Sequence, residues 1–267
     1  MIDYHIHTPL CNHAQGAMET YIRKSVDMGF TEICFLDHLT VRESVRKSGE
    51  GLSMTPGEVP FYFQAIQRFK HRYRGVIRVK AGIEIDFNPV YTNLFIDILG
   101  TYAFDVVGSS VHFIDGLDIV SSGSVWKNGE MDTDRVYGIY FEHLEKMLDH
   151  DYFDVVCHLD LVKKFGRRAR RSFDNELDAI LSKIKRKQLT VEINTSGYDN
   201  PAKEVYPSPG IIRKCYEKGI GVTLGSDAHR PENVGRHYNE ALPLLLSAGY
   251  RSLSTFTRRR RSEIPIK

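Results

Sequence analysis

The stretch MIDYHIHTPLCNH, residues 1–13, combines a short β-like alternation with three closely spaced histidines. Alternate side chains of an extended chain share a face, so Asp3, His5 and His7 are expected to point the same way, with His13 on the loop that follows. Six further runs have the same form, a β-rich core ending in polar, chemically capable residues: EICFLDH (32–38), IRVKAGIEID (77–86), FDVVGSSVH (104–112), FDVVCHLD (153–160), LTVEINTSG (189–197) and GVTLGSDAH (221–229). Helical patterns such as METYIRKSVDMGF and NELDAILSKIKRKQ separate them. Strands alternating with helices predict parallel strands joined by crossover helices. With no linker, repeat or low-complexity block, residues 1–267 are expected to form a single α/β barrel domain.

Composition narrows the function classes. The 267 residues are 42% hydrophobic, enough for a sizeable core, and 36 basic against 34 acidic residues give a net charge of only +2. No global field therefore draws the chain to nucleic acid or to a membrane. Cys11, Cys34, Cys157 and Cys215 form no CxxC pair, which argues against a zinc ribbon, a redox dithiol or a disulfide framework and predicts a reduced, cytoplasmic setting. No apolar run approaches the roughly 18 residues of a membrane span, and the N-terminus lacks the pattern of a secretory leader.

In barrels of parallel strands, functional groups gather where the C-terminal ends of the strands meet. Here those ends carry His5 and His7, His38, Glu84, His112, His158, Asn194, and Asp227 with His229. Seven of the eleven histidines lie at or just after a strand end, whereas His71, His143, His150 and His237 fall elsewhere and are read as structural or solvated. Imidazole plus carboxylate without cysteine suits zinc, manganese or iron. Seven histidines with Glu84 and Asp227 exceed the needs of one ion, because a catalytic zinc takes three protein ligands, so two or three ions are implied. Asp3, Asp37 and Asp160 lie next to these positions, where a carboxylate either orients an imidazole or caps a strand end.

Taken in order, DYHIHT, LDH, GIEID, SVH, CHLDL and GSDAH resemble the polymerase and histidinol phosphatase (PHP) superfamily, and the likeness runs over nearly the whole chain. HTPLCNHA, HLDLVKKFG, INTSG and GSDAHRPENVG are most similar to its histidinol-phosphate phosphatase branch. The resemblance implies a distorted (β/α)7 TIM-like barrel holding three divalent metal ions. It implies that His5 and His7 bind one ion with Glu84 and Asp227, that Glu84 bridges to a second held by His112 and His158, and that His13, His38 and His229 hold the third. Glu84, Asp227 and His229 are the catalytic assignments. The implied reaction is attack of a metal-bridging hydroxide on L-histidinol phosphate, releasing L-histidinol and phosphate.

A phosphate monoester calls for nearby cations, and Lys163, Arg230 and Arg42 are the candidates, with Asn194 as a further substrate contact. Long loops at 42–60 and 114–134, the latter with the sole tryptophan, Trp126, are expected to act as lids or binding loops. Two other readings are set against this one. The first keeps the same cluster but acts on another phosphomonoester or on nucleotide or oligonucleotide ends, and a nuclease of that kind would carry a basic, aromatic-lined track. The runs RRARR (167–171) and RRRR (258–261) are its only support and are read as solvated faces or tails, so no nucleic-acid partner is expected. A non-catalytic docking module would have lost ligands, and all nine positions are filled.

Overall fold

The structure, a computed structural model, describes residues 1–42 and 52–266. Seven strands form one parallel sheet in chain order: β1 (Ile2–Ile6), β2 (Glu32–Leu39), β3 (Arg78–Asp86), β4 (Val106–Ser110), β5 (Val155–Val156), β6 (Thr190–Asn194) and β7 (Val222–Gly225). The two edges meet just beyond β1 and β7, where His7 N donates to Ala228 O at 3.0 Å and Ala228 N donates to His5 O at 3.1 Å. The result is a nearly closed, distorted TIM-like barrel. All seven expected strands are present. The fifth is cut to two residues because the backbone leaves the sheet at His158, which sits in left-handed conformation at φ +28°.

Seven helices of nine or more residues pack around the sheet among the described residues: α1 (Met18–Asp27), α2 (Val59–Arg72), α3 (Thr92–Thr101), α4 (Thr133–Met147), α5 (Asp174–Arg186), α6 (Pro209–Glu217) and α7 (Tyr238–Ala248). Their sequences account for their faces. In α4 the Asp132 side chain accepts from Arg135 N at 2.8 Å to cap the first turn, and Val136, Tyr137, Tyr140, Phe141, Leu144 and Met147 recur as one buried stripe. In α5 the buried Leu177, Ile180, Leu181 and Ile184 form the stripe, with Asp174 and Glu176 in the first turn and Lys183, Lys185 and Arg186 in the last, matching the helix dipole.

The run RRRR is exposed, as expected of a solvated run, but it is not a free tail. RRRR lies in a C-terminal hairpin, β8 (Ser252–Thr257) with β9 (Arg260–Pro265), whose two-residue turn places Arg258 and Arg259 at φ +49° and +64°. The hairpin covers the N-terminal mouth of the barrel: Phe256 N donates to Tyr4 Oη at 2.7 Å, Lys80 Nζ to Thr257 Oγ1 at 2.6 Å, and Arg259 chelates Asp154. The expected loop at 42–60 has residues 43–51 outside those described. No helix among the described residues is long and apolar enough to cross a membrane.

Leu144 is buried in the α4 stripe whereas Ile96 on α3 is half exposed. Leu144→Ala is expected to lower stability by about 2–5 kcal/mol, and Ile96→Ala by less than about 0.5 kcal/mol, as read from chemical-denaturation midpoints.

Candidate metal centre

The C-terminal ends of the strands carry the expected residues to one place. His5, His7, His13, His38, His112, His158 and His229 form a continuous cluster, with ring centroids of 4.0 Å for His7–His229, 4.1 Å for His7–His38, 4.5 Å for His13–His229 and 5.0 Å for His112–His158. Glu84, fully buried on β3, is its hub: Oε2 lies 2.6 Å from His38 Nδ1 and 3.4 Å from His5 Nε2, and Oε1 lies 2.9 Å from His158 Nε2 and 3.8 Å from His112 Nε2. Asp227 sits on the other side, with Oδ1 2.9 Å from His7 Nε2 and 3.5 Å from His229 Nδ1. Like His158, Asp227 adopts a left-handed backbone, at φ +53°, a strain of the kind that gathers at functional sites.

The donor set fits divalent ions. His5 Nε2, His158 Nδ1 and His229 Nε2 are buried and make no hydrogen bond, an arrangement that is costly unless something completes it. Groups such as His5–His7–Asp227 and His7–His38–His229 present ligand atoms within 4.8 Å of one another. The electrostatics divide the cluster. Burial pushes His7, His13, His112 and His229 below the ordinary imidazole range, keeping their lone pairs free, whereas at His5 and His38 neighbouring carboxylates outweigh burial and raise both. Burial opposes ionisation of Glu84, yet His38, His5 and His112 hold it well below the usual carboxylate range, and His7, His5 and His229 do the same for Asp227. Two anionic carboxylates among imidazoles form an oxygen and nitrogen site suited to zinc, manganese or iron.

The flanking aspartates divide. Asp37 Oδ1 lies 3.1 Å from His7 Nδ1, the arrangement that orients an imidazole, while Oδ2 accepts from Thr8 N at 3.1 Å. Asp3 turns away from the cluster, because the β1–β2 register shifts between Asp3 and Ile6, and accepts instead from Ser226 N at 3.0 Å and Gly235 N at 3.1 Å. The shared face expected for Asp3, His5 and His7 thus holds only for the two histidines. Asp160 accepts from Ser208 N at 2.9 Å and Lys163 Nζ at 2.7 Å and touches no imidazole.

A cavity of about 290 Å³ opens beside the cluster, walled by His38, His112, His158, Asp227, His229 and Lys164, with Phe113 and Ser121 at its side. A larger one, about 630 Å³, lies at the N-terminal mouth against Asp154, Lys187 and Arg259 and contains none of the seven histidines. The expected substrate contacts fare unequally at the smaller cavity. Lys163 does not reach it, since its buried ammonium is held by Asp160 at 2.7 Å, Glu204 at 2.8 Å and Val205 O at 2.8 Å. Its neighbour Lys164 takes the place: its ammonium makes no ion pair among the described residues, and burial lowers its pKa against the pull of Asp227. Arg42 stacks 3.8 Å over Phe113, which lines the cavity, and donates to Asp86 Oδ2 at 3.2 Å, so it stands behind the wall and is not itself part of the lining. Arg230 is exposed and outside the lining. Asn194 supports the site from below, donating to Asp227 Oδ2 at 3.3 Å and accepting from Ser196 Oγ at 2.7 Å.

Trp126 is buried behind the site, donating to Val162 O at 2.9 Å, and does not line the cavity. In RRARR, Arg167 donates to Trp126 O at 2.9 Å and Arg171 pairs with Glu176 at 2.9 Å.

The PHP domain matches residues 3–196. This chain belongs to the PHP family. A protein of Deinococcus radiodurans named probable histidinol-phosphatase is 32% identical over 262 residues, covering 97% of this chain and 98% of its own length. The histidinol-phosphatase of Lactococcus lactis is 25% identical, over 96% and 94% of the two chains. The crystal structure of histidinol phosphate phosphatase from Lactococcus lactis, complexed with zinc, L-histidinol and phosphate, shares the fold at a TM-score of 0.84, with 22% identity and 98% of each chain covered.

Removing one member of a buried ion pair strands its partner's charge. Lys163→Ala is therefore expected to cost about 3–5 kcal/mol of stability, measured by denaturation, while the KM of the folded enzyme for its phosphomonoester stays at the parent value.

Proposed function

We propose that this chain is a metal-dependent phosphomonoester hydrolase that converts L-histidinol phosphate and water to L-histidinol and phosphate. The observation that carries the reading is the seven-histidine cluster around Glu84 and Asp227, opening onto a cavity that presents the unpaired Lys164. Relatives named histidinol-phosphatase along nearly the full chain supply the substrate. The zinc, L-histidinol and phosphate bound to the Lactococcus lactis protein agree with it.

In this reading His5, His7, Glu84 and Asp227 would hold one ion, Glu84, His112 and His158 a second, and His13, His38 and His229 a third. Divalent ions in such a site supply Lewis acidity to the phosphoryl oxygens and to the attacking water. The rest falls to the chain's own side chains. Lys164 offers an ammonium to the phosphate at the cavity wall. Arg42, fixed on Asp86 and stacked on the lining residue Phe113, adds positive potential from behind that wall. Asn194 and Ser196 keep Asp227 oriented through hydrogen bonds of 3.3 and 3.2 Å to Oδ2. A reduced, cytoplasmic setting accords with four free, buried cysteines.

Phosphate release from L-histidinol phosphate, measured beside a panel of other phosphomonoesters and a single-stranded oligonucleotide, tests the assignment. The highest kcat/KM is expected for L-histidinol phosphate, with activity lost on chelation and restored by zinc, manganese or iron. Preferred cleavage of another ester, or activity that survives complete metal removal, would refute it. Lys164→Ala is expected to raise KM for the phosphomonoester by about 10–100-fold, the worth of a charged hydrogen bond; unchanged kinetics would take Lys164 out of the site.

A further inference from the structure

Glu192 lies on β6, is only 1% exposed, and is not one of the nine positions matched to metal ligands. Its Oε1 is 2.5 Å from His5 Nδ1, while its Oε2 accepts from His158 N at 2.9 Å and from Asn194 Nδ2 at 3.2 Å. To reach His5 from β6 the carboxylate must pass across β7 at Gly225. A Cβ on Gly225 would stand 2.3 Å from Glu192 Oε1 and 2.7 Å from His5 Cβ, and the backbone there is not left-handed, so the position requires glycine for space. At the far side of the ring, His5 Nε2 is buried without a hydrogen bond, 3.4 Å from Glu84 Oε2.

We propose that Glu192 is a positioning residue that fixes His5 with its proton on Nδ1 and its Nε2 lone pair turned into the metal cluster, and that Gly225 is the clearance that admits it. The inference rests on the metal-cluster reading above, though not on the identity of the substrate. The contacts explain why a carboxylate is needed. Two fixed demands meet at Glu192, the backbone N–H of His158 and the ring nitrogen of His5, and a carboxylate alone accepts from both. Glutamine has one acceptor oxygen, and the peptide N–H of His158 can only donate. The amide NH2 would then face His5 Nδ1, making that nitrogen the acceptor and placing the proton on Nε2, where it blocks a ligand lone pair. The same carboxylate also steadies the left-handed turn at His158, so one side chain aligns ligands from two strands. Partners of this kind are typically worth about 10–100-fold in metal affinity.

The test compares the full-length parent with Glu192→Gln and Gly225→Ala, using zinc titration against a competing chelator and elemental analysis of bound zinc. Both variants are expected to bind one zinc about 10–100-fold more weakly than the parent while the remaining zinc is retained. Folded variants whose zinc count and affinities match the parent would overturn the proposal, as would a parent that binds no zinc. Should either variant fail to fold, nitrogen NMR of the zinc-loaded parent with isotope-labelled histidine decides: a protonated Nδ1 on His5 upholds the assignment and a protonated Nε2 overturns it. A parent that binds zinc but does not hydrolyse L-histidinol phosphate would sink the substrate assignment and leave the role of Glu192 standing.

Discussion

A carboxylate with no exposed surface, Glu84, faces imidazoles delivered by four other segments of the barrel: His5 from β1, His38 from β2, His112 after β4 and His158 after β5. Taking an ion of that size out of water costs several kcal/mol unless partners compensate. The upper half of the barrel is arranged around supplying them. Burial by itself would protonate Glu84, but the surrounding histidines reverse the outcome and keep it anionic. The converse holds for His5 and His38, where burial disfavours the charged ring, yet Glu192 and Glu84 beside the first and Glu84 beside the second raise both above the ordinary value. Carboxylates and imidazoles at this end thus shift one another toward their charged forms.

Backbone geometry follows from the same demand. Regular strands would carry His158 and Asp227 along their own axes, away from Glu84 and His7. Left-handed turns at these two residues bend the chain ends inward, and neighbouring hydrogen bonds hold them there: Glu192 on His158 N, and Arg236 on Asp227 O at 2.8 Å. Non-glycine residues at positive φ cost of order 1–3 kcal/mol each. The surrounding network has to over-determine such positions for them to persist, which is why so many side chains near the site contact other side chains and backbone instead of solvent.

How much of this was legible in the sequence depended on whether the signal was periodic. Strand alternation, strand order and the convergence of His5, His7, Glu84 and Asp227 follow from local patterns of period two and from the rule that strand ends meet. Glu192 was invisible to that reasoning because it lies inside a strand, two residues before the polar end at Asn194, and its partner is 187 positions away. The only local clue is a charged residue on a strand otherwise buried throughout, with an unexplained glycine on the next strand. The choice between Lys163 and Lys164 turned on a single 3-10 turn, Leu161–Lys163, whose pitch sends one ammonium to Asp160 and Glu204 and the next toward the cavity. The β1 register shift that turns Asp3 aside, and the hairpin that absorbs RRRR, both arise from long-range pairing that no short window contains.

The two mouths of the barrel differ in the counter-charges they give their carboxylates. At the N-terminal mouth each one has a permanent cation: Glu32 pairs with Arg78 at 2.6 Å, Asp105 with Lys70 at 2.7 Å, and Asp154 with Arg259 at 3.0 Å. Those pairs are complete. At the C-terminal mouth Asp86 and Asp160 also have a cation each, Arg42 and Lys163, but Glu84, Asp37, Glu192 and Asp227 meet imidazoles, amides and hydroxyls, with no lysine or arginine hydrogen-bonded to their carboxylates among the described residues. An imidazole differs from an ammonium in keeping a lone pair whenever it gives up its proton. An end compensated by imidazoles can therefore exchange protons for metal cations without a change of fold, whereas an end compensated by lysine and arginine cannot. That asymmetry in the choice of counter-charge, more than the barrel itself, confines metal chemistry to one mouth.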